Sequence, residues 1–211
     1  EELGYRNTRT ATTLKAEKAR SASYDVNYKM LIEGVSLSLN CALYSTWIDD
    51  AVIADDDSLM TRVVFLRNAT GTTFTRGGEL LIKLAYEGFK LTTGYTYTYA
   101  TREDRGRSEE LELNPRHSFG AVAVWENHES GWKVGWESYW TGSQNLKRNP
   151  FRASSQSYWN TGLIAEKSFD QFRIFVNFEN IFDTRQTRYE RIVTGSPEAG
   201  SFVKLPIYAP L

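Results

Sequence analysis

Apolar and polar residues alternate along the chain with a period of two, which predicts β-strands rather than helices. From Ala22 to Met30 the even positions carry Ala, Tyr, Val, Tyr and Met, whereas the odd positions carry Ser, Asp, Asn and Lys. The phase changes after Glu33-Gly34, and the alternation resumes over residues 35–44. Two such strands joined by so short a segment predict a hairpin with a tight turn.

Three further hairpins follow the same pattern. Each is predicted from two alternating segments that flank a short polar or glycine-containing turn. The paired segments are 80–86 and 89–99 around Glu87-Gly88, 119–125 and 132–140 around 127–131, and about 158–166 with 172–178.

Long polar connections separate these hairpins, so that short turns and long loops strictly alternate. In an up-and-down antiparallel sheet, alternate connections lie at opposite ends, and this asymmetry is typical of outer-membrane barrels. The predicted strands have about 10 to 13 residues, which suits a tilted membrane crossing. The long connections lie at about 49–62, 101–115, 142–156 and 183–206.

The predicted fold class is therefore all-β, with antiparallel up-and-down transmembrane β-barrel strands. About eight strands are visible when Val63 to Tyr86 is taken as one long strand that is irregular at 68–71. The run Ile207 to Leu211 is typical of the approach to another strand, and the polar residues at the start have no predicted strand partner. These features predict a part of a larger barrel.

Aromatic residues mark both ends of the predicted strands. Tyr95, Tyr97 and Tyr99 lie near the long loops, as Trp140 does, whereas Trp125 and Trp132 flank a short turn. Rings at both ends would suit the two water boundaries of a membrane. The alternative is that these side chains form the core of a soluble sheet, since aromatic residues favour any strand.

Composition excludes several classes of protein. The 211 residues include 25 Lys and Arg against 26 Asp and Glu, and this balance offers no general attraction to nucleic acid. The single Cys41 excludes an intrachain disulfide and a zinc site built on several cysteines. No apolar run reaches the length of a spanning helix, and residues 1–5 lack the apolar core of a signal peptide.

Several segments resemble TonB-dependent outer-membrane receptors. The strand from Arg76 to Tyr86, followed by the aromatic strand from Phe89 to Ala100, is similar to a pair in the C-terminal half of their barrel. Phe172 to Arg188 resembles their penultimate hairpin region, through Glu179-Asn180-Ile181-Phe182-Asp183. The closing Ile207 to Leu211 is similar to the segment before the last strand in Bacteroidetes-type members. Gly78 departs from the family, which usually has an apolar residue there.

This resemblance implies a function and a set of partners. Residues 1–211 would be the C-terminal segment of a 22-stranded barrel, without the plug domain and the final strand. The whole protein would be an active-transport receptor in the outer membrane of a Gram-negative bacterium, not an enzyme, and no cofactor is implied. Its substrate would be a scarce nutrient, an iron chelate first, with a glycan or cobalamin as alternatives. Its partners would be outer-membrane lipid, the TonB complex through regions outside this chain, and a surface lipoprotein.

The candidate substrate-binding residues lie in the long loops or on the polar side of the strands. Alternation predicts that Glu137 and Arg173 face the lumen, together with Asp25, Asn27, Lys29, Lys83, Lys90, Lys133, Asn177 and Glu179. The full set of candidates is Arg102, Arg105, Arg107, Glu137, Tyr139, Asn145, Trp159 and Arg173.

Other chemistry is less favoured by the sequence. Glu137 and Glu179 have the residue types of a paired acid and base for sugar hydrolysis, but solvated charges explain them more simply. His117 and His128 lie near opposite ends of one strand and cannot share a metal. The run Asp55 to Asp57 lacks the spaced ligands of a calcium loop. Accordingly, no catalytic residue and no metal site is predicted.

Two alternative functions stay open at this point. One is a soluble β-sandwich or jelly roll that binds or cleaves carbohydrate, with Trp132, Trp136, Trp140 and Trp159 stacking on sugar rings. That fold does not explain the alternation of short and long connections. The other is a self-contained eight-stranded barrel that acts as a structural or adhesive surface protein, which requires the first and last strands to pair.

Overall fold

A computed structural model describes residues 7–55, 63–146, 152–185, 193–196 and 201–204. Strands and their connections account for these residues. In chain order the strands are β1 (Asn7–Thr10), β2 (Lys18–Ile32), β3 (Val35–Asp49), β4 (Val52–Asp55), β5 (Val63–Asn68), β6 (Thr73–Tyr86), β7 (Phe89–Asp104), β8 (Arg107–Glu110), β9 (His117–Asn127), β10 (Trp132–Thr141), β11 (Tyr158–Ser168), β12 (Arg173–Phe178), β13 (Val193–Ser196) and β14 (Ser201–Lys204).

Most of the strands form one sheet in the order β12-β11-β10-β9-β7-β6-β3-β2, with β8 paired to β7. Apart from β4 and β5, which lie in another sheet, and β8, which pairs with β7 alone, neighbours in this sheet are consecutive along the chain, which confirms the predicted up-and-down arrangement. The register is continuous at its centre, where Trp136 of β10 lies opposite Ala123 of β9 and Leu163 of β11. β2 and β12 lie at opposite ends of the order, so the described strands do not close a self-contained barrel.

The predicted tight turns are confirmed. Glu33 and Gly34 both have positive φ, 48° and 83°, as a two-residue hairpin between twisted strands requires. In the next turn, Gly88 is needed for a different reason. Its carbonyl accepts a hydrogen bond from Glu126 N at 2.9 Å, and a Cβ on Gly88 would meet Glu126 O at 2.0 Å.

The prediction of one long strand from Val63 to Tyr86 is wrong. The chain forms β5, breaks at 69–72 and then forms β6. β5 belongs to a separate three-stranded sheet in the order β1-β5-β4. The break is fixed because Ala69 is buried and Gly71 lies against Glu103, whose Cγ would be 2.7 Å from a Cβ at Gly71.

The opening polar residues do have a strand partner, contrary to the prediction. β1 runs parallel to β5, with Asn7 opposite Val63 and Thr10 opposite Leu66. The predicted loop at 101–115 is also partly ordered as strand. There β7 continues to Asp104 and turns through Arg105-Gly106 into β8, so that the connection forms a hairpin.

The chain divides into two compact units. Unit 1 comprises the described parts of 1–23, 44–76 and 99–111, and unit 2 comprises those of 24–43, 77–98 and 112–211. Unit 1 has a small apolar core, in which Ala51, Ile53 and Ala69 are buried and Ile48 packs against them. Unit 1 therefore covers these three residues with its own chain, whereas its Trp47 and Phe65 are 38% and 40% exposed.

A charged clamp also holds unit 1 together. Arg67 Nη1 and Nη2 donate to Asp104 Oδ1 and Oδ2 at 2.9 and 2.6 Å, and the two side chains are only 15% and 21% exposed. Thr70 N donates to Asp104 Oδ1 at 3.1 Å, and Arg105 N donates to Thr70 Oγ1 at 2.5 Å. The Arg67 guanidinium, with help from the Thr70 amide, holds the pKa of Asp104 well below its usual range against the opposing effect of burial.

Unit 2 consists mainly of a sheet with two unlike faces. Register places Trp125, Trp132 and Trp136 on one side, which we call the aromatic face. Glu137 and Tyr139 project from the other side, the polar face, as Lys90 does. The three tryptophans are 38% to 44% exposed, so nothing in the described part of the chain covers the aromatic face.

The segment that carries the sequence resemblance after β12 is a compact turn. Asn180 has φ of 48°, and its side chain bonds Thr184 in both directions, accepting from N at 2.9 Å and donating to O at 3.1 Å. Ile181 N donates to Thr161 O at 3.0 Å, and Thr184 Oγ1 donates to Trp159 O at 2.6 Å. An asparagine is suited to this position because it tolerates positive φ and offers both a donor and an acceptor.

Some predictions lie outside the described residues. They concern Asp56 and Asp57 of the acidic run, the residues from Gln186 to Arg188, and the closing run from Ile207. Within the described ranges, no helix is both long and apolar enough to cross a membrane.

Candidate functional site

The polar face of unit 2 contains a hollow across β7, β9 and β10. Its volume is about 430 Å³. The register aligns Gly94 of β7 with Gly120 of β9, and Gly120 with Tyr139 of β10. We call it the Tyr139 hollow. Besides the two glycines and Tyr139, its lining has four hydroxyl residues and three apolar or aromatic ones: Thr92, Thr96, Ser118, Thr141, Phe119, Val122 and Trp140.

Glycine makes room for the tyrosine ring. A Cβ on Gly120 would lie 3.0 Å from Tyr139 Cδ1, so the ring rests directly on the backbone of β9. Tyr139 Oη donates to Glu137 Oε2 at 3.3 Å, and a Cβ on Gly162 would lie 3.1 Å from Glu137 Oε1. The sequence candidates Glu137 and Tyr139 are thus brought together beside a surface that offers hydroxyl donors and acceptors.

Two other candidates lie elsewhere in unit 2. Arg173 Nε is 3.2 Å from Glu166 Oε1 on the same polar face, so its charge is balanced within the wall. Asn145 follows β10, forms an isolated bridge with Ser154, and accepts a hydrogen bond from Leu113 N through its carbonyl at 3.1 Å. The backbone of Asn145 thereby ties two connections together.

Trp159 does not share the face of the Tyr139 hollow. Its register partner is Trp140, on the aromatic face. The Trp159 ring lies 6.4 Å from that of Trp140 and 6.1 Å, edge to face, from that of Phe119. Strand alternation decides this placement, since Trp159 and Asn160 must point to opposite sides.

Three arginine candidates belong to unit 1, at the hairpin of β7 and β8. Arg102 lies opposite Glu109 and is half-buried, whereas Arg107 lies opposite Asp104 and is exposed. Arg105 is in the turn with φ of 51°. The backbone of Arg105 donates to Thr70 in the clamp described above, and its exposed side chain extends from that turn.

A second hollow on the polar face spans β2, β3, β6 and β7 and has a volume of about 580 Å³. Lys29, Lys83 and Lys90 line it, together with Asn27 and Asn40. The alternation predicted that the three lysines share a face, but not that they share a hollow. Strand order supplies that information, because it makes β2, β3, β6 and β7 neighbours.

The groups weighed for catalysis each have a local partner. Glu137 accepts from Tyr139, and Glu179 Oε1 accepts from Asn177 Nδ2 at 2.8 Å. His117 Nδ1 lies 2.6 Å from Tyr95 Oη on the aromatic face. No group of three or more His, Cys, Asp or Glu side chains within the described ranges is arranged to hold a metal ion.

The fold matches solved outer-membrane transport proteins. The ferric-catecholate import receptor Fiu from E. coli K12 is 22% identical and superposes with a TM-score of 0.63 over 83% of this chain and 25% of that one. The FrpB iron transporter from Neisseria meningitidis is 19% identical with a TM-score of 0.65, over 86% and 30%. The copper transporter OprC is 15% identical with a TM-score of 0.66, over 84% and 28%.

These likenesses establish the fold alone, because all the identities are low. The chain spans 25% to 30% of the length of these three structures. No curated protein matches the sequence.

A match to a family model identifies the protein family of this chain. The model described as TonB dependent receptor-like, beta-barrel, matches residues 2–181, which is most of the 211 residues. The order of the strands, the aromatic face and the turn after β12 agree with such a barrel wall, and the soluble β-sandwich alternative is not favoured. The chain belongs to the TonB-dependent receptor β-barrel family.

Proposed function

We propose that this chain forms part of the wall and outer loops of a receptor that actively transports a scarce nutrient across the outer membrane of a Gram-negative bacterium. The observation that carries this proposal is the aromatic face of unit 2. Large apolar side chains there are open to the surroundings along a continuous antiparallel sheet. In water such a face would aggregate, whereas in a bilayer it would be solvated.

The dimensions of the strands support the membrane setting. β7, β9, β10 and β11 have 16, 11, 10 and 11 residues, against about 9 to 11 for a tilted crossing. The extra length of β7 carries it beyond Tyr95 and Tyr97 into unit 1.

For the substrate we propose an iron chelate. Proteins of this fold include an importer of ferric catecholate, an iron transporter and a copper transporter, which favours a metal carrier over the alternatives of glycan and cobalamin. The Bacteroidetes-type subclass and the position as the C-terminal segment of a 22-stranded barrel stay predictions of the sequence.

The Tyr139 hollow is the proposed contact of this segment with the substrate. Glu137 and Tyr139 would bind it on the polar face, while Arg102, Arg105, Arg107 and Asn145 would do so from the connections. Arg173 would contribute to substrate binding while it is paired with Glu166, and Trp159 would contribute from the edge of the aromatic face. Partners of the whole receptor would be lipid, the TonB complex and a surface lipoprotein.

The location is tested by fractionating the source cells and probing an immunoblot with an antibody against residues 101–116. We expect a band far larger than this 24.1 kDa chain, retained in urea-washed outer membranes. A soluble band near the mass of the chain would disprove the proposal.

The transport function is tested in cells that express the full-length receptor, with uptake of radioactive iron chelates as the readout. Tyr139→Ala should raise the chelate concentration for half-maximal uptake several-fold, because it removes the ring that forms one side of the hollow. Tyr28→Ala is the matched control, since Tyr28 is exposed and lies between Asn27 and Lys29, which face the other way. Uptake that persists after deletion of the receptor, or after the proton-motive force is dissipated, would contradict active iron transport by this receptor.

A further inference from the structure

The hollow on the polar face of β2, β3, β6 and β7 collects positive charge. Lys29, Lys83 and Lys90 reach it from three different strands, and the hollow of about 580 Å³ has the size of a small-molecule site. We call it the basic hollow. Its other polar side chains are neutral: Asn27, Ser36, Ser38, Asn40 and Thr92.

No described carboxylate balances these lysines. None of the three forms an ion pair with any residue in the described ranges, and no Asp or Glu lines the hollow. The nearest acidic group along β2 is Asp25, and its two oxygens already accept hydrogen bonds from Asn27 and Asn40, both at 2.7 Å.

At the opposite end of the same face, a lysine has acidic residues on both neighbouring strands. Lys133 lies opposite Glu126 on one neighbouring strand and Glu166 on the other, and Glu166 also pairs with Arg173. Charges of both signs therefore alternate there. No acidic residue lines the basic hollow, so its three like charges repel one another. A bound anion would offset this repulsion.

The concave shape of the basic hollow also favours binding of an anion. Its walls exclude part of the solvent and focus the potential of the lysines into a small volume. Hydroxyl groups of Ser36, Ser38 and Thr92 can donate hydrogen bonds to the same ligand. Three flexible ammonium groups suit oxygens carried at several points of a ligand, rather than a single charge.

We propose that the basic hollow binds a small oxyanion with at least two negative charges, of the polycarboxylate or polyphosphate class. This site differs in position and charge from the Tyr139 hollow, and it does not depend on which nutrient the receptor transports. Lys29, Lys83 and Lys90 bind the oxyanion, and the neighbouring hydroxyl groups orient it.

The test measures binding to the full-length receptor in detergent at low salt by isothermal titration, with citrate and pyrophosphate as separate probes. The triple variant Lys29→Gln/Lys83→Gln/Lys90→Gln should bind at least about tenfold more weakly, and each single variant about two- to threefold. Added salt should weaken binding to the wild type, because screening acts on exposed charges.

Two controls make the outcome decisive. Lys133→Gln removes the same charge from the same face and should leave binding unchanged, and trimethyl citrate, which carries no charge, should not bind. Normal levels of each variant in outer membranes show that it assembles. The proposal is overturned if neither probe binds, as when another part of the polypeptide fills the hollow, or if Lys133→Gln weakens binding as much as the triple variant. Binding of only one probe identifies the class of oxyanion.

Discussion

The two units of this protein are stabilised in opposite ways. Unit 1 buries Ala51, Ile53 and Ala69, and it largely shields the ion pair of Arg67 and Asp104 from solvent, as a protein folded in water does. Unit 2 leaves Trp125, Trp132 and Trp136 exposed on a sheet that is held by strand pairing. Under the proposed function, lipid covers the aromatic face of unit 2, whereas the core of unit 1 is covered by its own chain.

The largest expected effect comes from a charged substitution on the aromatic face, which tests whether that face meets lipid. Val26→Arg should destabilise the assembled receptor by about 2 to 4 kcal/mol, because it places a charge on the lipid face near the middle of β2. Asn27→Arg is the adjacent control on the polar face and should cost little. Folding into lipid vesicles, followed by urea titration, measures both. Equal costs for the two variants would mean that the two faces meet the same solvent.

A second prediction concerns the clamp of unit 1. Arg67→Ala should destabilise unit 1 by about 2 to 3 kcal/mol, since it leaves the half-buried Asp104 carboxylate without its main partner. Arg20→Ala removes a comparable ion pair to Asp49 whose side chains are 75% and 40% exposed, and should cost less than about 0.5 kcal/mol. Hydrogen exchange of the amides in β7 and β8 measures the change. Similar exchange rates in both variants would show that burial does not increase the stability that the clamp gives to unit 1.

A third prediction concerns the close approach of backbone in unit 2. Gly88→Ala should cost about 2 kcal/mol, because the new Cβ would overlap Glu126 O and break the hydrogen bond from Glu126 N. Gly94→Ala is the control, since its Cβ would have 3.7 Å to the nearest atom. Urea titration in vesicles again gives the difference. A Gly94 variant as unstable as the Gly88 variant would point to a general effect of losing glycine.

The smallest expected effect is the pH dependence of unit 1. The depressed pKa of Asp104 stabilises unit 1 above the pKa of an unfolded aspartate, and this contribution declines as the pH falls below about 4. The loss should be of the order of 1 kcal/mol at pH 3. Hydrogen exchange between pH 5 and pH 3 should reveal it in the wild type and far less in Arg67→Ala. An equal decline in both would assign the pH dependence to other groups.

Strand pattern and turns were predictable because their causes are local. The alternation in β2, β3, β7 and β10 sets which side chains share a face, and Glu33-Gly34 sets a turn whatever the rest of the chain does. Lys83 and Lys90 were therefore placed correctly on the polar side. Alternation also sets the side on which Trp159 lies, but it does not show which face bears the hollow.

The errors share one physical reason. The pairing of β1 with β5, and the departure of β5 from the main sheet, depend on contacts between residues far apart in sequence, such as Asn7 with Val63. The Arg67–Asp104 clamp also joins residues of β5 and β7 that are far apart in sequence. Long-range pairing has no periodic signal, so the sequence alone could not predict these features.

By itself, the sequence determined the long strands of the main sheet, their two faces, the tight turns and the family, because each depends on a short span of residues. Only the tertiary structure decided which residues meet across strands. It placed Tyr139 against Gly120, gathered Lys29, Lys83 and Lys90 around one hollow, and gave unit 1 its own core. Neighbours within a sheet follow from strand order and register, and these are set by the energy of the whole assembly rather than by any local segment.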